Sequence, residues 1–289
     1  MATVDVDIKQ LLEAGAHFGH KTSRWHPKMA PYIHSKRGGS HIIDLTKTVE
    51  ALEAALAFLT ETTSQGKQVL IIGTKRQAHD VALQLATDTK MPYVVERWLG
   101  GMLTNQKTIS GRVKHLKDLE ERMATGELNN RYSKLEVQRF QEEIDAMNHK
   151  FGGIKDMAAR PGAVIVFDMI HDDNAISESR RLGVPVIAVA DSNADPTKAD
   201  YPIPANDDAI KTLQLLSDYF KQAIEAGKAS RTVKADKDEK AEEKAKPIVR
   251  SEQPATAKAE KPAETKAEAK TETKVETAKE EPAKAKKSE

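Results

Sequence analysis

Short runs of consecutive apolar residues alternate with amphipathic segments along the first 228 residues. The apolar runs predict buried parallel strands at 69–72, 164–167 and 186–189, with a shorter candidate at 93–95. Helical spacing follows at 46–64, 75–87, 174–182 and 207–226, with Gly183 and Gly227 as C-terminal stops. The alternation predicts an α/β fold with a Rossmann-like or flavodoxin-like parallel sheet.

An insertion at 105–151 interrupts this alternation. Its apolar residues step by three and four on two helices: Ile109, Val113, Leu116, Leu119 and Met123, then Val137, Phe140, Ile144, Met147 and Phe151. This spacing is a heptad seam, and 126–131 is a natural turn. We predict an antiparallel coiled-coil hairpin that protrudes roughly 25–30 Å from the sheet domain. The alternative is that both helices pack on the sheet.

The composition changes near Gly227. Residues 229–289 contain no Phe, Trp or Tyr and repeat Ala, Lys, Glu, Thr and Pro. Such a segment buries too little apolar surface to offset its ordering entropy, so we predict a disordered tail. The predicted organisation is a body at 1–228 and a tail at 229–289. The body consists of a basic segment at 1–45, a sheet domain at 46–104 and 152–228, and the hairpin at 105–151.

The overall composition limits the possible functions. There is no cysteine, which excludes disulfides and thiolate chemistry and favours the cytoplasm. No apolar stretch has the length of a membrane span. The formal net charge of +1 means that binding to nucleic acid would depend on local segregation of charge.

Charge is segregated in the N-terminal segment, where no acid occurs between Glu13 and Asp44. Cations and aromatic rings alternate there, as suits an RNA surface. The candidate RNA-binding residues are His17, His20, Lys21, Arg24, Trp25, Lys28, Lys36 and Arg37. Segments 32–35 and 41–44 predict a hairpin with Lys36 and Arg37 at its tip. Zinc binding by the histidines is disfavoured because partner thiolates are missing.

A second basic cluster follows the strand at 93–95. Arg97 and Trp98 stand beside Gly100-Gly101, a combination that suits phosphate binding and stacking. The candidates in this region and after the strand at 69–72 are Lys75, Arg76, Arg97, Trp98, Asn105 and Lys107. Either indole, Trp25 or Trp98, could instead be a core residue.

Aspartates after two predicted strands raise an enzymatic alternative. Asp168 and Asp191 would lie at the carboxyl edge of the sheet, with Asp172 and Asp173 close in sequence. A magnesium-dependent phosphohydrolase could be built this way. Aspartates in such places are more commonly helix caps and turn formers, which is the interpretation we favour. The turn Gly73-Thr74-Lys75-Arg76 fits neither common nucleotide-binding loop.

Several blocks of the sequence resemble one family in the family's own order. They are His17-Phe18-Gly19-His20, Trp25-His26-Pro27-Lys28-Met29, His41-Ile42-Ile43-Asp44-Leu45, Gly73-Thr74-Lys75-Arg76, Arg97-Trp98-Leu99-Gly100-Gly101-Met102-Leu103-Thr104-Asn105, Gly152-Gly153-Ile154-Lys155-Asp156-Met157 and Pro204-Ala205-Asn206-Asp207-Asp208-Ala209. Over residues 3–228 the chain closely resembles bacterial ribosomal protein S-two of the small subunit.

The resemblance implies a structural protein of the small ribosomal subunit with no catalytic role and no cofactor. It implies a flavodoxin-like sheet with a coiled-coil hairpin, seated between head and body of the subunit. Its partners would be small-subunit (16S) rRNA and neighbouring ribosomal proteins, including ribosomal protein S-one, whose recruitment it would support. No membrane or small-molecule substrate is implied. Asp172-Asp173 replaces the Glu-His of many relatives, so an ion at the acidic cluster Asp168, Asp172, Asp173 and Asp191 is left open, and the tail has no counterpart in the family core.

Overall fold

The structure, a computed structural model, describes residues 6–157 and 160–245, with side chains up to residue 231. The helices are α1 (Ile8–Glu13), α2 (Leu45–Ser64), α3 (Arg76–Thr89), α4 (Gln106–Ala124), α5 (Glu127–Arg131), α6 (Lys134–Phe151), α7 (Asp173–Arg181) and α8 (Ile210–Ala245). The strands are β1 (Phe18–Lys21), β2 (Ile33–Arg37), β3 (Ser40–Ile43), β4 (Val69–Ile72), β5 (Tyr93–Val94), β6 (Ala163–Val166), β7 (Val186–Ala190) and β8 (Tyr201–Pro204).

The central sheet has five parallel strands in the order β5-β4-β6-β7-β8. Numbered along the chain, this is the 2-1-3-4-5 order of flavodoxin-like folds, which confirms the predicted α/β class. Four of the strands were predicted. The fifth, β8, contains Pro202 and Pro204 and pairs only with β7. Proline is tolerated in such an edge strand, and it also hides the strand from sequence-based prediction.

Helices cover both faces of this sheet, because successive residues of each strand point to opposite sides. On one side, Ile71 and Ile165 pack with α2, α3 and α8. On the other, Ile72 and Val166 belong to a core that includes residues of α4, α6 and α7. The resulting three-layer arrangement explains why the strands are apolar at every position.

The sequence predicted that the last helix stops at Gly227. Helix α8 instead continues to Ala245. Gly227 is buried in the helix interior, where a Cβ would clash with the Thr63 hydroxyl and lie 2.6 Å from the carbonyl oxygen of Thr60. The glycine therefore permits a close approach of α8 to α2 and does not end the helix. The helix thus extends into the segment predicted as a disordered tail, and residues 246–289 of that segment lie outside the described residues.

The insertion consists of α4 and α6, joined through the short helix α5. Helix α6 begins with a capping box formed by Ser133 and Glu136. All ten seam residues are buried or half-buried, and all but Val137 belong to the core on the α7 side of the sheet or pack against it. The apolar seam is thus the sheltered side of each helix, while its arrangement as a protruding coiled coil stays a prediction.

A small antiparallel sheet with the strand order β1-β3-β2 precedes the central sheet. The hairpin of β2 and β3 confirms the predicted one, with Lys36 paired to His41 and Arg37 to Ser40. Gly38 and Gly39 form its turn with φ of +59° and +79°, values that favour glycine. Strand β1 was not predicted. Among the described residues, no helix has the length and apolarity of a membrane span.

Candidate nucleic-acid interface

The N-terminal sheet docks on the carboxyl edge of the central sheet, next to the end of β7. The His20 backbone N–H donates to the Ser192 hydroxyl at 2.8 Å, and the His20 ring Nδ1 lies 2.8 Å from an Asp191 carboxylate oxygen. The His26 N–H donates to the Ser192 carbonyl at 2.8 Å. Lys28 pairs with Asp195 at 2.8 Å. These contacts fix the basic N-terminal segment to the sheet.

Lys75 fills the carboxyl edge at the point where the strand order reverses, between β4 and β6. Its Nζ lies 2.9 Å from Asp168, 2.8 Å from Asp207 and 2.7 Å from Asp208. Burial alone would lower the pKa of Lys75, but these carboxylates outweigh it and raise the pKa. Burial, together with the charges of Asp168 and Asp191, raises the pKa of Asp207 to about 7. The crevice in which flavodoxin-like proteins bind ligands is thus occupied by an internal ion network.

The aspartates of the enzymatic alternative are engaged by the protein itself. Asp168 accepts from the N–H groups of Ile170 and His171 at 2.8 and 2.9 Å. Burial would raise its pKa, but these bonds and Lys75 hold the pKa below its usual range. Asp172 accepts from the Thr74 hydroxyl at 2.6 Å, and burial raises its pKa. Asp168 thus forms a turn, the role that we favoured from the sequence, whereas the bond between Asp172 and Thr74 was not predicted.

Among the described residues, one group has the geometry to hold a cation. His20, Asp191 and Asp207 place potential ligand atoms within 4.8 Å of one another. This set shares only Asp191 with the acidic cluster considered from the sequence. Asp173 of that cluster pairs with Lys198. Lys75 already pairs with Asp207, and His20 and Asp191 are bonded to each other, which is the chief cause of the raised pKa of His20.

The Trp98 loop is organised around the buried carboxylate of Glu178. This carboxylate accepts from Trp98 Nε1 at 3.0 Å, from the Gly101 N–H at 2.7 Å and from the Leu103 N–H at 3.1 Å. The backbone N–H and hydroxyl of Thr104 add bonds at 3.2 and 3.1 Å. Burial would raise the pKa of Glu178, but these donors hold it below the usual range. The loop is rigid because one anion satisfies five donors.

Seven of the predicted RNA contacts are exposed cations. Within the described part of the chain, none of them pairs with a carboxylate: Lys21, Arg24, Lys36, Arg37, Arg76, Arg97 and Lys107. The first four lie on or beside the N-terminal sheet, and Arg76 and Arg97 follow the carboxyl ends of β4 and β5. Cations without a protein partner are available to phosphates.

Trp25, also predicted, is a large exposed ring on the N-terminal sheet. Its side chain is 37% exposed. Its centroid lies 5.3 Å from that of His41, and the Lys36 Nζ lies 5.8 Å from it.

Of the six remaining predicted residues, all but Asn105 have protein partners or a more sheltered position. Trp98 is 8% exposed and bonded to Glu178, so it is a core residue. Lys28 and Lys75 are engaged in ion pairs, and His20 is bonded to Asp191. His17 is half-buried, and burial lowers its pKa. Asn105 is exposed at the start of α4, and its side chain makes no capping bond there.

Sequence reasoning missed Glu178, Asp207 and Asp208 as organisers of these surfaces. Nothing in the sequence distinguishes Glu178 from a solvated glutamate on an amphipathic helix. The block around Asp207 was recognised only through the family resemblance, and its pairing with Lys75 joins residues 132 positions apart.

Comparison with known proteins gives the family. The family model described as ribosomal protein S2 matches residues 11–227. The chain belongs to the ribosomal protein S2 family. It is similar to the small ribosomal subunit protein uS2 of Mesorhizobium japonicum, with 48% identity over 223 residues, or 77% of this chain and 85% of the relative.

Two further relatives with the same description come from other bacteria. That of Roseiflexus castenholzii is 45% identical over 226 residues, covering 78% of this chain and 86% of the relative. That of Picosynechococcus is 44% identical over 228 residues, covering 79% and 89%. The matched residues include the N-terminal sheet, the central sheet and the insertion.

Proposed function

We propose that this chain is a structural component of the small ribosomal subunit and binds small-subunit rRNA through its N-terminal sheet. The observation that carries the proposal is the charge segregation at 14–43, where five cations and no acid occur in a chain with 45 cations and 44 acids. Four of these cations, Lys21, Arg24, Lys36 and Arg37, are exposed and have no carboxylate partner among the described residues. Membership of the S2 family supports the same assignment.

The second group of exposed cations extends the proposed RNA surface. Arg76, Arg97 and Lys107 contact phosphates in this proposal, and Asn105 adds a polar side chain at the start of α4. Trp98 and Lys75 act indirectly, since they hold the loops from which Arg97 and Arg76 project. His20 and Lys28 anchor the N-terminal sheet through Asp191 and Asp195, and His17 lies half-buried just before β1.

The insertion has a separate part in the proposal. Its outer faces are rich in Lys, Arg and Glu, and Leu135 and Tyr132 are exposed near the start of α6. We assign it the role of an arm, paired as a coiled coil, that meets neighbouring small-subunit proteins at the head-body junction. Support for the recruitment of ribosomal protein S-one, and a cytoplasmic location on the subunit, belong to the same proposal.

The proposal assigns the chain no catalytic role. The Asp168 carboxylate is paired with Lys75 and hydrogen-bonded to backbone N–H groups, and the Asp191 carboxylate is bonded to His20. No observation in the described residues favours the magnesium-dependent phosphohydrolase over this bracing role.

Co-sedimentation tests the assignment to the subunit. A tagged copy of the full chain is expressed, and lysate is run through sucrose gradients at low and high salt. We expect co-migration with small subunits at low salt and release at high salt, because phosphate contacts are screened. Migration as a free protein under gentle conditions would overturn the proposal.

The salt dependence of binding tests the interface itself. Each phosphate contact adds about 0.7–0.9 to the log-log slope of affinity against salt, so Arg24→Ala with Arg37→Ala should lower the slope by about 1.4–1.8. Lys211→Ala is the matched control, because Lys211 is exposed on α8, away from both basic clusters in sequence. Filter binding to purified small-subunit rRNA measures the slope, and an unchanged slope in the double variant would remove both arginines from the interface.

A further inference from the structure

Trp25, Lys36 and His41 form one surface of the N-terminal sheet, here called the Trp25 platform. Lys36 and His41 are direct partners in the β2–β3 pairing, so their side chains project on the same face of the sheet. The Trp25 ring lies against both of them, with its centroid 5.3 Å from that of His41 and 5.8 Å from the Lys36 Nζ. The platform therefore brings together an indole, an ammonium group and an imidazole.

We propose that the Trp25 platform binds an unpaired RNA nucleobase by stacking on the indole, with the flanking phosphates held by Lys36, Arg37 and Arg24. This inference rests on the proposed RNA-binding function and specifies its ligand. Phosphate contacts alone would accept any polyanion, whereas a stacking site distinguishes single strands with exposed bases from paired ones.

The exposure of the indole is the first argument. Trp25 is 37% exposed, whereas Trp98 is 8% exposed and has its Nε1 bonded to Glu178. An exposed indole offers a flat face to any base, and base–aromatic stacking contributes about 1–3 kcal/mol per base.

His41 gives the platform a firm support. It is 1% exposed, and neither ring nitrogen has a hydrogen-bond partner among the described residues. Burial, with a smaller effect of Lys36, lowers its pKa and so favours the neutral ring. A neutral ring packs beside the indole without repelling the nearby ammonium group of Lys36.

The interaction free energies allow a nucleobase to replace the Lys36 ammonium group over the Trp25 ring. A cation–π contact at an exposed site contributes about 0.5–1 kcal/mol, which is less than base stacking. Lys36 has no carboxylate partner among the described residues, so its long side chain is free to turn towards a phosphate. Binding then exchanges one weak contact for a stacked base and a charge-assisted hydrogen bond.

A duplex cannot use this surface. In an A-form helix the faces of the bases are covered by their neighbours, and the groove edges alone are accessible. The indole must therefore meet a base in a loop, a bulge or a single-stranded segment.

Two oligomers of equal length separate stacking from charge. The full chain is titrated at low salt with a ten-nucleotide oligouridine and with an abasic oligomer that has the same phosphates. We expect Trp25→Leu to bind oligouridine about 5- to 150-fold more weakly than the wild type, and to bind the abasic oligomer equally well. Trp25→Phe should retain most of the affinity, because a phenyl ring also stacks. Circular dichroism checks that each variant is folded.

Fluorescence gives a direct signal, since Trp25 and Trp98 are the two tryptophans of the chain. Stacking should quench the red-shifted emission of the exposed indole on addition of oligouridine, while the abasic oligomer leaves it unchanged. Equal binding of oligouridine by the wild type and Trp25→Leu would overturn the platform and leave RNA binding intact. If neither oligomer binds, the platform is overturned as well. The proposed function is then tested separately by co-sedimentation with small subunits.

Discussion

The indole N–H of Trp98 donates a 3.0 Å hydrogen bond to the carboxylate of Glu178, which lies 80 residues away on α7. The same carboxylate binds three backbone N–H groups and one hydroxyl of the loop that follows Trp98. A single buried anion thus determines the shape of the loop from which Arg97 projects.

We expect Glu178→Gln to lower the free energy of unfolding by about 2–4 kcal/mol at pH 7, because the charge-assisted bonds are lost and an amide N–H₂ meets other donors. Urea denaturation measures the change. The pKa of Glu178 is lowered in the folded chain, so its contribution is present above the unfolded pKa near 4.5 and is lost as the pH falls through the folded pKa. Glu53→Gln on the exposed face of α2 is the control, and an equal effect of both variants would contradict this role.

Two glycines in helices should respond to alanine with opposite signs. Gly227→Ala places a methyl group against Thr63 and Thr60, and overpacking of this kind costs about 1–3 kcal/mol. Gly111→Ala in α4 meets no atom within 4 Å and should stabilise by about 0.5–1 kcal/mol, because alanine favours the helix. Thermal unfolding of the two variants measures both effects. A stabilising Gly227→Ala would show that α2 and α8 are not in close contact there.

The His20–Asp191 pair should make stability depend on pH. The bond to Asp191 raises the pKa of His20 above 6.5, so its stabilisation is complete below pH 6.5 and is lost as the pH rises through the folded value. We expect His20→Gln to cost about 1–2 kcal/mol at pH 5.5 and progressively less at higher pH. Asp207, whose pKa is about 7, also helps to raise the pKa of His20, so its titration is part of the same pH dependence.

Chemical denaturation at pH 5.5, 7 and 8.5 measures this difference. His34→Gln is the control, because His34 is exposed on β2 and forms no ion pair among the described residues. A difference between the wild type and His20→Gln that grows with pH would contradict the assigned sign.

Removal of residues 246–289 should leave the melting temperature of the body within about 2 °C of that of the full chain. These residues include no aromatic side chain, and composition of this kind contributes little to a packed core. Differential scanning calorimetry of the two chains makes the comparison. A large drop would show that the segment docks on the body.

The sequence predicted most of the sheet and its helices, because apolar runs and helical spacing are local signals. It failed where tertiary contacts decide the structure. Gly227 has the appearance of a helix stop, and only the proximity of Thr63 explains it as an interior residue of α8. Likewise, the prolines of β8 are acceptable only because the strand lies at an edge.

In the candidate site, too, local features could be predicted from the sequence and tertiary contacts could not. That residues 14–43 are basic could be predicted, and the exposed position of Arg24 and Arg37 agrees with it. Which cations are engaged by the protein could not be predicted, because Lys28 and Asp195 are 167 residues apart. Trp25 and Trp98 occur in similar basic contexts, but burial among apolar residues and a bond to Glu178 make Trp98 a core residue.

The ion network around Lys75 also affects the electrostatic potential near the proposed RNA surface. Asp168, Asp207 and Asp208 lie at the sheet edge on which the basic N-terminal segment docks, and their negative potential would repel phosphates. The ammonium group of Lys75 cancels part of that potential from within. In the proposed interface, Lys75 would therefore shield RNA from the chain's own acids without touching the RNA itself.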